Sequence, residues 1–123
     1  MHSDKNHGTI LFGHGSRDPL WHLPIEAVAS QIHELAPAVQ VRCAYLELTA
    51  PDLPASAAEL VGLGVTSITI VPMFLGVGRH AREDLPVLLA QLQANHPHVT
   101  FDLRPAIGEE AQMIQLMARL ALS

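Results

Sequence analysis

The chain has 123 residues, 49% of them hydrophobic and 15% charged, enough for the core of one domain and inconsistent with a disordered or low-complexity protein. Twelve acidic against seven basic residues leave a formal charge of -5, so the overall field does not attract nucleic acid or an anionic membrane surface. A single cysteine, Cys43, excludes an internal disulfide framework and a cysteine zinc cage. No apolar run approaches the roughly 20 residues of a membrane span, and the polar start through His7 lacks the apolar core of a secretory signal, which points to a cytoplasmic protein.

Residues 1–8 are expected to form a flexible tail and residues 9–123 one domain. The first strand reads Thr9 to Gly13, a continuous apolar run of the kind that suits a central parallel strand covered on both faces. Asp18 and Pro19 open a helix on which Ile25, Val28, Ala29, Ile32 and Leu35 recur at helical spacing until Pro37 stops it. A second strand follows over Val39 to Leu46, with Val39, Val41, Cys43 and Tyr45 on one face and Ala44 and Leu46 on the other.

Pro51 and Asp52 start a second helix carrying Leu53, Ala57, Leu60 and Val61, closed by Gly62 and Gly64. Ser67 to Phe74 reads as the third strand, and Gly76 to His80 as a flexible turn. A third helix is expected from about Ala81 to Asn95, with Leu85, Leu88, Leu89 and Leu92 inward; a fourth strand spans Val99 to Leu103 and a last helix about Glu109 to Leu122. Four βα units with right-handed crossovers predict an α/β fold, a single doubly wound four-stranded parallel sheet flanked by helices, of flavodoxin-like topology and strand order 2-1-3-4.

Open α/β sheets bind ligands beyond the carboxyl ends of their strands. His14 follows the first strand, Glu47 the second and His80 the turn after the third, evenly spaced along the chain, which makes convergence on one rim plausible. Two imidazoles and a carboxylate suit cobalt, iron(II), nickel or zinc and can also take protons, so hydrolysis and chelation are both chemically open. His2, His7, His33, His96 and His98 read as tail, surface or loop residues, and His22 beside Trp21 either faces the mouth or simply packs there.

Arg17, Arg79 and Arg82 lie on the same rim, and guanidinium groups grip carboxylates through paired hydrogen bonds; the plain alternative is ordinary surface charge, with Arg82 pairing to Glu83 or Asp84. The glycines of Gly13-His14-Gly15-Ser16 and Gly76-Val77-Gly78 permit tight turns but match neither a P-loop nor a dinucleotide fingerprint.

Three ordered motifs carry a resemblance: Phe12-Gly13-His14-Gly15-Ser16-Arg17-Asp18-Pro19; Tyr45-Leu46-Glu47-Leu48 with Pro51; and Val71 to His80 with Asp84-Leu85-Pro86. Together with Pro105-Ala106-Ile107-Gly108 they make the chain similar to the CbiX/SirB sirohydrochlorin chelatases in their short, single-lobed form. The resemblance implies an ATP-independent chelatase that inserts cobalt, iron or nickel into sirohydrochlorin for cobalamin or siroheme, with no organic cofactor and the metal as substrate. It carries the metal and catalytic roles onto His14, Glu47 and His80. Substrate binding is expected from Arg17, Arg79, Arg82, Ser16 and Phe74, with Met73 and Leu75 adding apolar surface to the ring. It also implies a homodimer standing in for the two lobes of longer relatives. Two other readings are a non-catalytic metal or tetrapyrrole carrier and a response-regulator-like binding module, though the latter lacks an acidic cluster after the first strand.

Overall fold

A computed structural model describes residues 6–123. Four strands, β1 (His7–Gly13), β2 (Gln40–Tyr45), β3 (Ser67–Pro72) and β4 (Thr100–Leu103), pair in parallel in the order β2-β1-β3-β4. This is the expected architecture and order. Between them run the helices α1 (Leu23–Leu35), α2 (Leu53–Gly62), α3 (Arg79–Asn95) and α4 (Ala111–Leu122).

Several boundaries differ from the sequence reading. β1 takes in His7 and Gly8; His7 is held there by Ser67, whose hydroxyl lies 2.7 Å from Nδ1. His2 lies outside the described residues. The segment opened by Asp18 and Pro19 is a 3-10 turn, Pro19–His22, whose Leu20 amide is accepted by the Asp18 carboxylate at 3.0 Å, and α1 begins only after it. α3 starts at Arg79, so Arg79 and His80 belong to its first turn instead of a loop; Gly78, extended at φ -67° and ψ 167°, supplies the entry. A second 3-10 turn, Ile107–Glu109, delays α4 to Ala111.

The pleat sorts the strand residues into two unequal cores, since alternate side chains leave opposite faces. Ile10, Phe12, Ala44, Ile68, Ile70 and Phe101 meet Leu53, Ala57 and Leu60 of α2 and Leu85 and Leu92 of α3 in the larger one. Leu11 and Tyr45 meet Ile25 of α1 in the smaller one, with Ala29, Ile32, Val41, Cys43, Val71 and Met73 packed around them. One residue of α1 is buried, Ile25, and Val28 and Leu35, both expected inward, are exposed. α4 buries none. The α2/α3 face is therefore closed, whereas the α1/α4 face is covered over only part of its width.

Candidate functional site at the carboxyl edge of the sheet

The rim is built by four strand-to-helix connections that tie to one another through their backbones. Leu46 donates its amide to Gly13 at 2.9 Å and Glu47 donates to the carbonyl of His14 at 3.0 Å, so the second connection is stitched to the first. Met73 donates to Phe12 at 2.7 Å, and Gly108 donates to Phe74 at 2.9 Å, which joins the third and fourth connections to the same platform. Gly15 makes the first junction possible: it has φ +96°, and a β-carbon there would stand 1.9 Å from the Glu47 carbonyl oxygen. Only glycine tolerates both conditions.

The second connection folds back on itself. Tyr45 donates its amide to the Pro51 carbonyl at 2.9 Å, Leu48 has φ 69°, and Asp52 then caps α2 by accepting from the Ala55 amide at 2.9 Å. Glu47 is thus presented on an exposed, closed loop.

His14 rests on the core. Its imidazole is exposed, yet it stacks on the ring of Phe74 with centroids 4.1 Å apart and planes inclined by 28°. Phe74 is 3% exposed and packs in turn near Phe12, at 6.1 Å, so a solvent-facing histidine rests on the rigid core. Within the Met73-Phe74-Leu75 wall the exposed member is Leu75, while Phe74 lies beneath His14.

His80 stands exposed on the first turn of α3. Among the described residues, no group of three or more His, Cys, Asp or Glu side chains is gathered closely enough to hold a metal ion. His14 and Glu47 are joined through backbone, and His80 stands apart from that junction on the first turn of α3.

Ser16 accepts a hydrogen bond from the Asp18 amide at 3.0 Å, shaping the turn into the Pro19–His22 segment. Arg79 pairs with Glu83, Nε to Oε1 at 3.2 Å, with both side chains largely in water. Glu83 is thus engaged by Arg79 and not by Arg82. Arg17 and Arg82 are exposed and join none of the three salt bridges among the described residues. An exposed pair such as Arg79–Glu83 is worth about 0–1 kcal/mol, so Arg79 can exchange Glu83 for an incoming carboxylate at little cost.

One feature of the rim was not singled out from sequence. Leu20, Trp21 and Leu23 are exposed, and Trp21 and Pro24 line a cleft of about 410 Å³ with Gly13, Ile25, Val28 and Met73. His22 packs against Tyr45, ring centroids 4.8 Å apart, with its Nε2 buried and unpartnered among the described residues. The dense apolar run after Pro19 was the available signal.

The fold and rim define a class: an open, all-parallel α/β domain with a supported histidine at the carboxyl edge of its first strand. The CbiX family model matches residues 8–122, and the chain belongs to the CbiX family. It is 33% identical over 96 residues to the sirohydrochlorin cobaltochelatase of Methanococcoides burtonii, covering 77% of this chain and 73% of that one. It is 32% identical over 80 residues to the protein of the same name from Methanopyrus kandleri, spanning 56% of that relative's length. Among solved structures, a putative cobalamin biosynthesis CbiX protein from Marinobacter aquaeolei superposes with a TM-score of 0.80 at 34% identity, covering 94% of both chains. The sirohydrochlorin chelatase SirB of Bacillus subtilis subspecies spizizenii, solved with cobalt, shares the fold at a TM-score of 0.77 and 23% identity; this chain covers 50% of it.

Proposed function

We propose that this protein is a chelatase that inserts a divalent metal ion, cobalt foremost and iron(II) or nickel as alternatives, into sirohydrochlorin without ATP, in cobalamin or siroheme biosynthesis. The observation that carries the reading is His14, exposed at the carboxyl edge of β1 on a buried Phe74, in a chain of the CbiX family whose relatives include sirohydrochlorin cobaltochelatases.

Insertion requires that the ion shed water, that two pyrrole N–H protons leave and that the ring nitrogens reach the metal. His14 and His80 bind the incoming ion or accept those protons, and Glu47 adds the negative charge that favours the cation and assists proton removal. An incomplete protein ligand set suits delivery, because a closed four-ligand cage retains its ion. Arg17, Arg79 and Arg82, with Ser16, take the carboxylates of the substrate, and Leu75 and Met73 offer apolar surface beside the ring. The protein works in the cytoplasm as a homodimer, the second copy supplying what the second lobe supplies in longer relatives; among the described residues no helix is long and apolar enough to cross a membrane.

The test is absorption spectroscopy of sirohydrochlorin mixed with purified protein and, separately, cobalt, iron(II) or nickel. Product accumulating beyond the protein concentration is the expected result, and its loss in both His14→Ala and His80→Ala, with the fold intact, assigns the site. Stoichiometric binding without turnover would mean a carrier instead, and full activity in both variants would remove the assigned mechanism.

A further inference from the structure

The connection between β1 and α1 holds the chain's single tryptophan at the rim in an open position. Leu20, Trp21 and Leu23 are 70%, 44% and 56% exposed, on and just after the 3-10 turn that follows His14. Large apolar side chains gathered in the open beside charged ones mark a surface that binds something. Three hydrogen bonds fix the turn that carries them. Ser16 Oγ accepts from the Asp18 amide, the Asp18 carboxylate from the Leu20 amide and the Asp18 carbonyl from the Trp21 amide, each at 3.0 Å.

The indole is held as well as exposed. Its Cη2 stands 3.5 Å from where a β-carbon on Gly13 would be, so the tip of the ring lies over the backbone immediately before His14. The ring of His22 meets it nearly at right angles, with centroids 5.5 Å apart and planes inclined by 87°, and the Tyr45 ring is centred 6.5 Å away. What these neighbours leave uncovered opens on the cleft of about 410 Å³ that Trp21 lines with Leu20, Pro24, Val28 and Met73. That volume falls within the roughly 300–1,000 Å³ of small-molecule sites. Met73 is common to this cleft and to the apolar surface placed beside the substrate ring above.

We infer that Trp21, with Leu20 beside it, is a substrate-contact residue whose indole lies against one edge of the conjugated macrocycle and sets affinity for the ring separately from affinity for the ion. The inference rests on the function proposed above and deepens it. A half-exposed indole suits a flat conjugated partner, because offset and edge-to-face aromatic contacts add to simple area burial. A side chain already fixed by its neighbours loses little freedom when the partner arrives. The charge beside it agrees. Arg17, on the same connection, is exposed and belongs to no salt bridge among the described residues, so an apolar surface borders a free guanidinium. That combination matches a ligand with an apolar face and carboxylates at its edge, whereas a metal ion uses neither feature.

The test is steady-state cobalt insertion by the full chain, with sirohydrochlorin and cobalt varied in turn and circular dichroism to confirm folding. Trp21→Ala is expected to raise KM for sirohydrochlorin about fivefold or more, while kcat and KM for cobalt stay within about twofold of the parent. Trp21→Phe, which keeps a ring, should recover most of the affinity. Leu20→Glu reads the same surface without touching the indole: it sets a carboxylate against those of the substrate and should raise the same KM, more at low salt than at high. An unchanged KM for sirohydrochlorin in Trp21→Ala or in Leu20→Glu overturns the contact alone, as does a Trp21→Phe no better than Trp21→Ala. A loss that falls equally on both substrates also overturns it, since that is what a structural role produces. A wild type that neither binds sirohydrochlorin in a metal-free absorption titration nor turns it over overturns the proposed function, and the contact with it.

Discussion

His14 and Phe74 stack ring on ring across two neighbouring strands, centroids 4.1 Å apart. The register explains why: Phe12 of β1 lies beside Pro72 of β3, so the residues two further along each strand leave the sheet at the same level. A buried aromatic thereby limits the directions in which an exposed imidazole can point. For a group that must meet a metal ion or a proton in one orientation, such support acts on rate more than on folding.

Phe74→Leu separates those effects. Leucine keeps most of the apolar volume, so the stability cost should stay near 1–1.5 kcal/mol. The aromatic contact with His14, worth about 0.5–1.5 kcal/mol, is lost. The expected outcome is a folded protein whose kcat/KM for metal insertion falls about two- to tenfold, measured by initial rates beside a urea midpoint. An unchanged rate in the folded variant would show that the stack plays no part in the chemistry.

Gly15→Ala should act on both rim loops at once. The added β-carbon meets the Glu47 carbonyl oxygen at 1.9 Å on a backbone whose φ is +96°. Either the first connection changes conformation or Glu47 moves away, and left-handed backbone adds about 1–2 kcal/mol for a non-glycine residue. The urea midpoint should drop by at least that equivalent and insertion activity should fall with it. Retention of both would mean that the junction relaxes freely and does not position Glu47.

Much of the fold could be read from the chain because its apolar runs and helical periods alternate cleanly. Ile10 and Ile70 lie on the central strands β1 and β3 and Ala44 on the edge strand β2, with helices over them, and the order β2-β1-β3-β4 is one that right-handed crossovers allow. Val28 and Leu35 looked inward by spacing alone and are exposed, because α1 shares a face that no other helix closes. Periodicity tells which side of a helix is apolar, not whether anything lies against it. The rim was legible as a set of loops: His14, Glu47 and Arg79 stand at the carboxyl edge as expected. The stack on Phe74, the Gly15–Glu47 crossing and the Arg79–Glu83 pair depend on strand register and helix start, which the sequence does not carry. His80 was expected in a turn, and Gly78 as the helix entry places it within α3.

Gly108 and Gly76 offer a matched comparison on the other side of the rim. A β-carbon at Gly108 would meet the Leu75 carbonyl oxygen at 2.1 Å and its α-carbon at 2.4 Å, whereas one at Gly76 would meet nothing within 4 Å. Gly108→Ala must therefore push apart the two connections that Phe74 and Gly108 hold together by a 2.9 Å backbone hydrogen bond. A loss of about 2 kcal/mol or more is expected there, from overpacking against backbone that has no room to yield. Gly76→Ala should stay within about 0.5 kcal/mol of the parent. Paired denaturant curves check this, and equal midpoints for the two variants would count against the tight contact.

Cys43 gives a prediction in pH. Its thiol lies half-buried in the smaller core, and burial, reinforced by the negative charge of Glu26, raises its pKa above the ordinary thiol value. Because the thiolate is the reactive form, alkylation of the folded protein should be slower than that of the urea-unfolded chain, with a rate still rising above about pH 8.5, where an ordinary thiol is half ionised. The sign for stability follows from the same shift. The folded state keeps the proton to higher pH than the unfolded one, so the thiol's contribution is complete below the unfolded pKa and is lost as pH rises through the folded one. Cys43→Ala should flatten that alkaline decline while removing some packing at neutral pH, measured as urea midpoints on either side of the thiol range. A decline of the same steepness in parent and variant would assign the alkaline loss to other groups.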